Sequence, residues 1–410
     1  MVIYNLVVLL YGFVIKLASV KKIKARQWVE GRKDWRNFYS AKLEQLQSGN
    51  VIWFHCASYG EFEQGRPLIE AVKNKYPDYK IVLTFFSPSG YEAFKNWTGA
   101  DIIGYLPLDT ARNAEDFIKI VKPKVAIFIK YEFWVNFLNE LRNQNVRTYL
   151  VSAVFKKHHP FFKWYGGIFR KSLQTFNKLF IQDKASGNLL ETIGIKNYEV
   201  SGDTRFDRVL QIKQNFTEIN EIKNFRGNSS LIVAGSTWPK DEELILKTFT
   251  KLINQNVKLV IAPHEVDEMH IRQLEERLKE NGFAYSLYTG QINPASRVLV
   301  LNTIGLLSRT YYYADGAYVG GGFSDGLHNT LEPAVYGIPV TFTGSDYVKY
   351  NEAVEMLELN IATLVHNEDE LATAFSQFIS DKTFRNEVKE KLSQYFETHS
   401  KTTEKILAFI

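Results

Sequence analysis

A chain of 410 residues that is 45% hydrophobic and 14% aromatic is too apolar to be disordered and long enough for two globular domains. Its 50 Lys and Arg against 45 Asp and Glu leave a net charge of +5, too small and dispersed to argue for a nucleic-acid partner. The single cysteine, Cys56, excludes an internal disulfide and any multi-cysteine metal or cluster site, and suits a reducing compartment.

Residues 2–20 are almost wholly apolar, interrupted by Asn5 and Lys16, and Lys21, Lys22, Lys24 and Arg26 follow at once. Such a run backed by positive charge reads as a membrane anchor, spanning or lying in the interface, with the following domains on the cytoplasmic side. Nothing basic precedes it and no small-residue cleavage site follows, which argues against a signal peptide. An apolar helix packed on the domain is the alternative.

From residue 51, short β-branched runs alternate with amphipathic stretches, the pattern of parallel α/β units. Strands are predicted at 51–54, 81–86, 102–106, 125–129, 148–151 and 179–181, and a second series at 231–233, 259–261, 298–301, 317–319 and 340–342. Asp109 is the expected N-cap of a helix running to Val121, stopped by Lys122 and Pro123. The polar stretch 212–228 reads as a linker. The predicted organisation is therefore an anchor at 1–20, a doubly wound domain at 21–211 and a second at 212–410, with the helical tail 369–410 returning to the first. Two Rossmann-like domains facing a cleft are the layout of the glycosyltransferase B architecture.

Candidate chemistry clusters where strands end. In the run from His55 to Glu61, Gly60 is read as permitting a tight turn, and Glu61 falls in the first turn of a helix, as a general base or as a plain helix cap. Lys130-Tyr131-Glu132-Phe133-Trp134 follows an apolar strand; Glu132 is read either as positioning a hydroxyl or as a salt-bridge partner of Lys130 or Arg205. Ser236 and Thr237 precede a helix opened by Pro239, a turn suited to a phosphate. Pro263 and His264 end the next strand, where a backbone turn can hold a base or ribose. Three glycines, Gly320, Gly321 and Gly322, precede Phe323 and allow close approach of a nucleotide; Gly326-Leu327-His328 leads into a helix expected from Asn329, with Glu332 in its first turn. The spacing is not the dinucleotide fingerprint, which disfavours a dehydrogenase. The sequence contains no Asp-x-Asp and no His-Glu-x-x-His, so it shows no ligand set for metal-dependent sugar transfer.

In this order, Ala57 to Glu61, Glu132-Phe133-Trp134, Ser201 to Asp207, Ala234 to Thr237 and His328 to Pro333, together with the N-terminal anchor, resemble the 3-deoxy-D-manno-octulosonic acid (Kdo) transferases of lipopolysaccharide synthesis. The resemblance implies an inverting, metal-independent enzyme without cofactor that moves Kdo from CMP-Kdo to the 6′-hydroxyl of a lipid A precursor, lipid IVA, at the cytoplasmic face of the inner membrane. Its partners would be CMP-Kdo, that lipid and the anionic membrane surface. It implies Glu61 as the general base and Glu132 and Arg205 as transition-state stabilisers. Ser236, Thr237, Pro263, His264, Gly321, Gly322, Phe323, His328, Asn329, Thr330, Leu331 and Glu332 would bind CMP-Kdo. This chain departs from the family pattern at Lys130, where Glu is commoner, at Arg205 for Lys, at the shortened Pro263-His264-Glu265, and at Leu327 before His328. The rival readings are a glycosyltransferase B enzyme using a UDP-sugar and a membrane-tethered nucleotide-fold protein without chemistry.

Overall fold

The computed structural model describes residues 1–46, 49–323 and 326–410. The chain divides into two compact units, residues 1–208 with 399–410, and residues 209–398. In the first unit, β1 (Val51–Cys56), β2 (Lys80–Phe85), β3 (Ile102–Tyr105), β4 (Pro123–Ile129), β5 (Arg147–Ala153), β6 (Lys178–Ile181) and β7 (Tyr198–Val200) form a parallel sheet in the order β3-β2-β1-β4-β5-β6-β7. The second unit repeats the plan. Its strands β8 (Ser230–Thr237), β9 (Val257–Pro263), β10 (Tyr285–Leu287), β11 (Val298–Val300), β12 (Gly316–Val319), β13 (Val340–Phe342) and β14 (Ala362–Leu364) run parallel in the order β10-β11-β9-β8-β12-β13-β14.

The central strands are mostly apolar because both faces of each sheet are buried. Along β1, Trp53 joins the layer of Phe117, Phe128 and Phe137, while Ile52 and Phe54 point to the opposite layer with Leu68, Ile69 and Ile127. In the second unit Ile232 and Leu259 face one layer and Leu231, Val233 and Val260 the other. In each sheet the order reverses beside the first strand, between β1 and β4 and between β8 and β12. A crevice opens at such a switch point, at the carboxyl ends of the strands.

Three strands have no counterpart in the predicted series: β7, β10 and β14. All are edge strands of three residues, paired on one side and only partly covered, so they lack the continuous apolar run that marks a central strand. The stretch 212–228 is not a bare linker. It holds the end of the helix Thr204–Gln214 and the whole of the helix Asn220–Arg226, whose Ile222 and Phe225 are buried. The tail is three helices, Glu368–Ser380, Lys382–His399 and Thr402–Leu407, separated at Asp381 and at Lys401 in a left-handed conformation. The last lies in the first unit, where Ile406 enters the core, Lys75 Nζ donates to Leu407 O (2.9 Å) and Asp207 accepts from the N–H groups of Lys401 and Thr403 (2.8 and 2.6 Å).

The helix Val2–Ala18 exposes Val2, Ile3, Leu6, Leu10, Phe13 and Leu17. Among the described residues no helix is long and apolar enough to cross a membrane. Its 17 residues reach roughly 26 Å against a hydrocarbon layer of roughly 30 Å, so the spanning form of the anchor is not shown. Its polar residues also dock. Tyr4 donates its hydroxyl to Asp109, and Asn5 accepts from Asn136 Nδ2 (3.0 Å). Asp109 is fully buried and does not cap the helix to Val121, which is capped by Thr110 accepting from Asn113 N (3.3 Å). Asp109 instead accepts from the N–H groups of Asn136 and Phe137 (3.2 and 3.0 Å), closing the N-terminus of the helix Val135–Asn143. Arg32 ties the neighbouring helix Ile23–Glu30 to the sheet, donating to Trp28 O, Phe86 O and Leu106 O while lying 3.9 Å above the Trp28 ring.

Replacing Asp109 by Ala should leave two backbone donors and the Tyr4 hydroxyl without an acceptor and destabilise the first unit by about 1–3 kcal/mol. Tyr4→Phe removes one partner and should cost less. Urea midpoints of the two variants check this order, and an unchanged midpoint for Asp109→Ala would show that the docking contributes nothing.

Candidate functional site

At the carboxyl end of β1 the chain passes through Ala57 and Ser58 into the helix Tyr59–Lys75. Glu61 sits in its first turn and curls back to accept from Ala57 N (2.5 Å). Gly60 is inside this helix, without positive φ and with nothing within 4 Å of where a Cβ would stand. The tight-turn role expected of it is therefore corrected: Gly60 is an ordinary helical residue with open space where its side chain would stand. Burial lifts the Glu61 carboxyl to about 8, the Glu132 charge adds to this, and the Ala57 N–H and the Lys130 charge pull against it. The two carboxylates share one neighbourhood, since both also push the buried Cys56 thiol upward after burial itself.

Glu132 follows β4, the strand beside β1, and is only 8% exposed. Its Oε2 meets His55 Nε2 at 3.1 Å and Trp134 Nε1 at 2.6 Å. Of the alternatives read for Glu132, a salt bridge with Arg205 is not seen among the described residues. Arg205 pairs with Asp203 through Nε (2.8 Å) and Nη2 (2.6 Å). Burial pushes the Asp203 carboxyl up, but the Arg205 charge and hydrogen bonds outweigh it and hold the group below the usual range. Gln64 Nε2 donates to the same Asp203 (2.8 Å), and Gln64 is one helical turn from Glu61. Lys130, between β4 and Glu132, adopts the left-handed conformation (φ 71°), a strained position for a side chain of its kind.

In the second unit, Ser236 and Thr237 belong to the end of β8, and Thr237 O accepts from His264 N (2.9 Å) just beyond Pro263. The helix Pro239–Lys251 follows directly. Its Asp241 gathers the whole turn, accepting from Trp238 N (2.9 Å), Tyr318 OH (2.6 Å) and Gly321 N (3.0 Å). The glycines serve the protein's own backbone. A Cβ on Gly320 would lie 2.4 Å from Ser236 O, and one on Gly322 1.9 Å from Thr343 O. Gly321 takes φ +97°, against Gly326 O. The close approach read from these glycines is therefore first a packing of loop on loop.

The rings of Trp238, His264 and His328 stack in sequence, with centroids 4.9 and 4.4 Å apart and planes within 27°, and Trp238 Nε1 donates to His328 Nε2 (3.2 Å). Phe323 stands exposed beyond them. The helix expected from Asn329 is a single turn, Leu331–Ala334, because Pro333 and Gly337 (φ +78°) prevent extension. Asn329 accepts from Leu331 N (3.2 Å) and donates to Glu332 (3.3 Å). Leu331 is core, and Thr330 is buried with its hydroxyl unsatisfied by the protein. Glu242, fully buried, is met by His270 (2.8 Å), Arg277 (3.1 Å) and Thr237 (3.3 Å). Among the described residues no three His, Cys, Asp or Glu stand close enough to hold a metal. The sequence reading gave no site role to His55, Thr84, Trp238, Asp241 or Tyr318. Only Asp241 carried a local signal, as an acid three positions after the N-cap of a proline-opened helix.

Two Rossmann-like units, each reversing strand order beside its first strand, are the glycosyltransferase B architecture. The 3-deoxy-D-manno-octulosonic-acid transferase family model matches residues 32–208. A Kdo transferase of Aquifex aeolicus is 29% identical over 338 residues, covering 81% of this chain and 87% of that one. A bifunctional glycosyltransferase/methyltransferase of Fusobacterium nucleatum is 26% identical over 382 residues; the alignment covers 88% of this chain but 58% of that protein. The crystal structure of UDP-GlcNAc 2-epimerase from Neisseria meningitidis shares the fold, with a TM-score of 0.60 at 13% identity, covering 83% of this chain and 94% of that one. Over most of its length the chain is similar to Kdo transferases, and its first unit carries the match to their family model.

Because folded Glu61 keeps its proton up to about 8 while an unfolded glutamate releases it near 4.5, the folded state binds more protons between these values. The stability from this group is fully present below about 4.5 and is lost as pH rises to about 8. Glu61→Gln should therefore melt close to the parent at pH 5 and above it at pH 8.5. An equal difference at both pH values would mean an ordinary solvated carboxylate.

Proposed function

We propose that the chain transfers Kdo from CMP-Kdo to the 6′-hydroxyl of lipid IVA with inversion, Glu61 acting as the general base. The observation that carries this reading is a half-buried carboxyl at a helix N-terminus whose proton affinity is raised by burial and by the second carboxylate, Glu132. In its ionised form Glu61 takes the proton of the attacking hydroxyl. The hydroxyl oxygen forms its bond to the anomeric carbon as the bond to the CMP phosphate breaks, and the electron pair leaves with CMP. A proton affinity raised toward neutral pH makes Glu61 a stronger base than a solvated carboxylate. Arg205, held by Asp203, is the cation proposed for the Kdo carboxylate.

In the second unit the stacked rings of Trp238, His264 and His328 offer a platform for the cytosine. Ser236, Thr237 and the Gly321 and Gly322 loop, braced by Asp241, are proposed to receive the phosphate, and Asn329 and Glu332 the ribose. No metal is assigned a step. The N-terminal helix is proposed to lie in the cytoplasmic face of the inner membrane, with Leu6 and Leu10 in the acyl boundary and Lys16, Lys21, Lys22, Lys24 and Arg26 among anionic headgroups. A cavity of about 320 Å³ beside it, lined by Leu9, Phe13, Trp28, Trp35 and Leu108 with Lys16 and Arg32, supports a lipid contact there.

The test is labelled lipid IVA with CMP-Kdo, products resolved by thin-layer chromatography. Glu61→Gln should lower turnover by about a hundredfold to ten-thousandfold with CMP affinity unchanged. In the parent, kcat/KM should rise with pH and level off above about 8, as the base loses its proton. Turnover with a UDP-sugar, or tight UDP and no CMP binding, would favour the rival donor.

Vesicle flotation checks the membrane proposal. Leu6→Glu with Leu10→Glu should release the protein from anionic vesicles, and 0.5 M salt should weaken binding of the parent, where about 0.5 M is enough to screen headgroup charge. Retention by the double variant would place the contact elsewhere.

A further inference from the structure

His55 is fully buried, one residue before the end of β1, and its ring fills the space between β2 and Glu132. In the parallel register it stands opposite Thr84 on one side and Phe128 on the other. Nδ1 lies 2.8 Å from Thr84 Oγ1, which also accepts from Trp53 Nε1 (2.8 Å). Nε2 faces Glu132 Oε2 at 3.1 Å, and Trp134 Nε1 donates to that oxygen at 2.6 Å. Trp134 itself lies against Phe86, with ring centroids 4.5 Å apart.

Trp134 Nε1 also lies 3.0 Å from His55 Nε2, and Thr84 Oγ1 also reaches Phe54 O at 3.3 Å; in the arrangement where the Thr84 hydroxyl donates to Nδ1, Nε2–H donates to Glu132 and Trp134 Nε1 serves the same carboxylate oxygen. The titratable and charged groups that sense Glu132 are Glu61, Cys56 and Tyr4; Lys130 also acts on Glu61.

We infer that His55, oriented by Thr84, is a positioning residue: it holds the Glu132 carboxyl in one rotamer beside Glu61. This rests on Glu61 being the base. His55 touches no reacting atom in this account. The rotamer it fixes decides how far the second carboxyl stands from the base, and a displacement near 1 Å in such an arrangement costs on the order of a hundredfold in rate.

The test exploits the two ring nitrogens. Gln places an amide N–H near the position of Nε2 and keeps the contact to Glu132. Asn reaches only the position of Nδ1, keeping Thr84 and abandoning Glu132. His55→Asn should lower kcat by about 10- to 100-fold with KM for CMP-Kdo unchanged, and His55→Gln should recover most of that loss. In a Glu132→Gln background, His55→Asn should cost less than about threefold more, because the residue it acts through is already altered.

Equal losses for Asn and Gln, or a His55→Asn effect that multiplies in full on Glu132→Gln, would overturn the inference and leave His55 a packing residue. If His55→Asn does not fold, Thr84→Val serves instead: it frees the ring without removing it, and should lower kcat non-additively with Glu132→Gln. Full additivity there overturns the inference too. Glu61→Gln run alongside separates the two failures. A fully active Glu61→Gln protein removes the base on which this rests, whereas an inactive Glu61→Gln with a fully active His55→Asn keeps the base and removes the role of His55.

Discussion

Two carboxyl groups held near each other and away from water are the constraint around which the first unit is arranged. Glu61 and Glu132 come from segments 71 positions apart in the chain, a separation read from their numbers, and meet because β1 and β4 are neighbours at the point where the sheet reverses order. A like charge in a poorly solvated place is costly, and the structure answers it with aimed donors: Ala57 N–H on Glu61, Trp134 Nε1 and His55 on Glu132. What would be a liability in a structural core becomes a means of setting proton affinity at a crevice. The strained Lys130 between β4 and Glu132 is part of the same arrangement.

The second unit applies the same topology to a different chemical task. Asp241 there reaches three donors on two segments and fixes the turn after β8 to the glycine loop after β12, again across the point of strand reversal. Burial pushes its carboxyl upward while the hydrogen bonds from Tyr318, Gly321 and Trp238 oppose that. The glycines pack against peptide oxygens, and the stacked rings of Trp238, His264 and His328 flank the same strand ends. Rigidity in the loop and an aromatic face beside it are complementary requirements for a nucleotide.

The N-terminal helix joins apolar exposure to polar anchoring. Tyr4 and Asn5 are its ties to Asp109 and Asn136, and these leave Leu6, Leu10 and Leu17 facing outward. The helix is thus held by polar side chains on one side and exposes apolar ones on the other.

Much of this was legible in the sequence, for physical reasons that differ by element. The central strands are apolar on both faces, so β1, β4, β8 and β9 stood out as runs, and Glu61 and Glu132 were marked by following such runs directly. The edge strands β7, β10 and β14 left no such trace, because half-covered backbone asks little of its side chains. Local rules also misassigned partners. Asp109 precedes one helix and caps another, and Arg205 pairs with Asp203, because these choices are made by groups that only folding brings within reach. Chain order alone determined the alternation of strands and helices and the residue types at their ends. Which carboxylate stands beside which, and how tightly each holds its proton, was decided by the three-dimensional packing, since burial and distance are properties no single segment possesses.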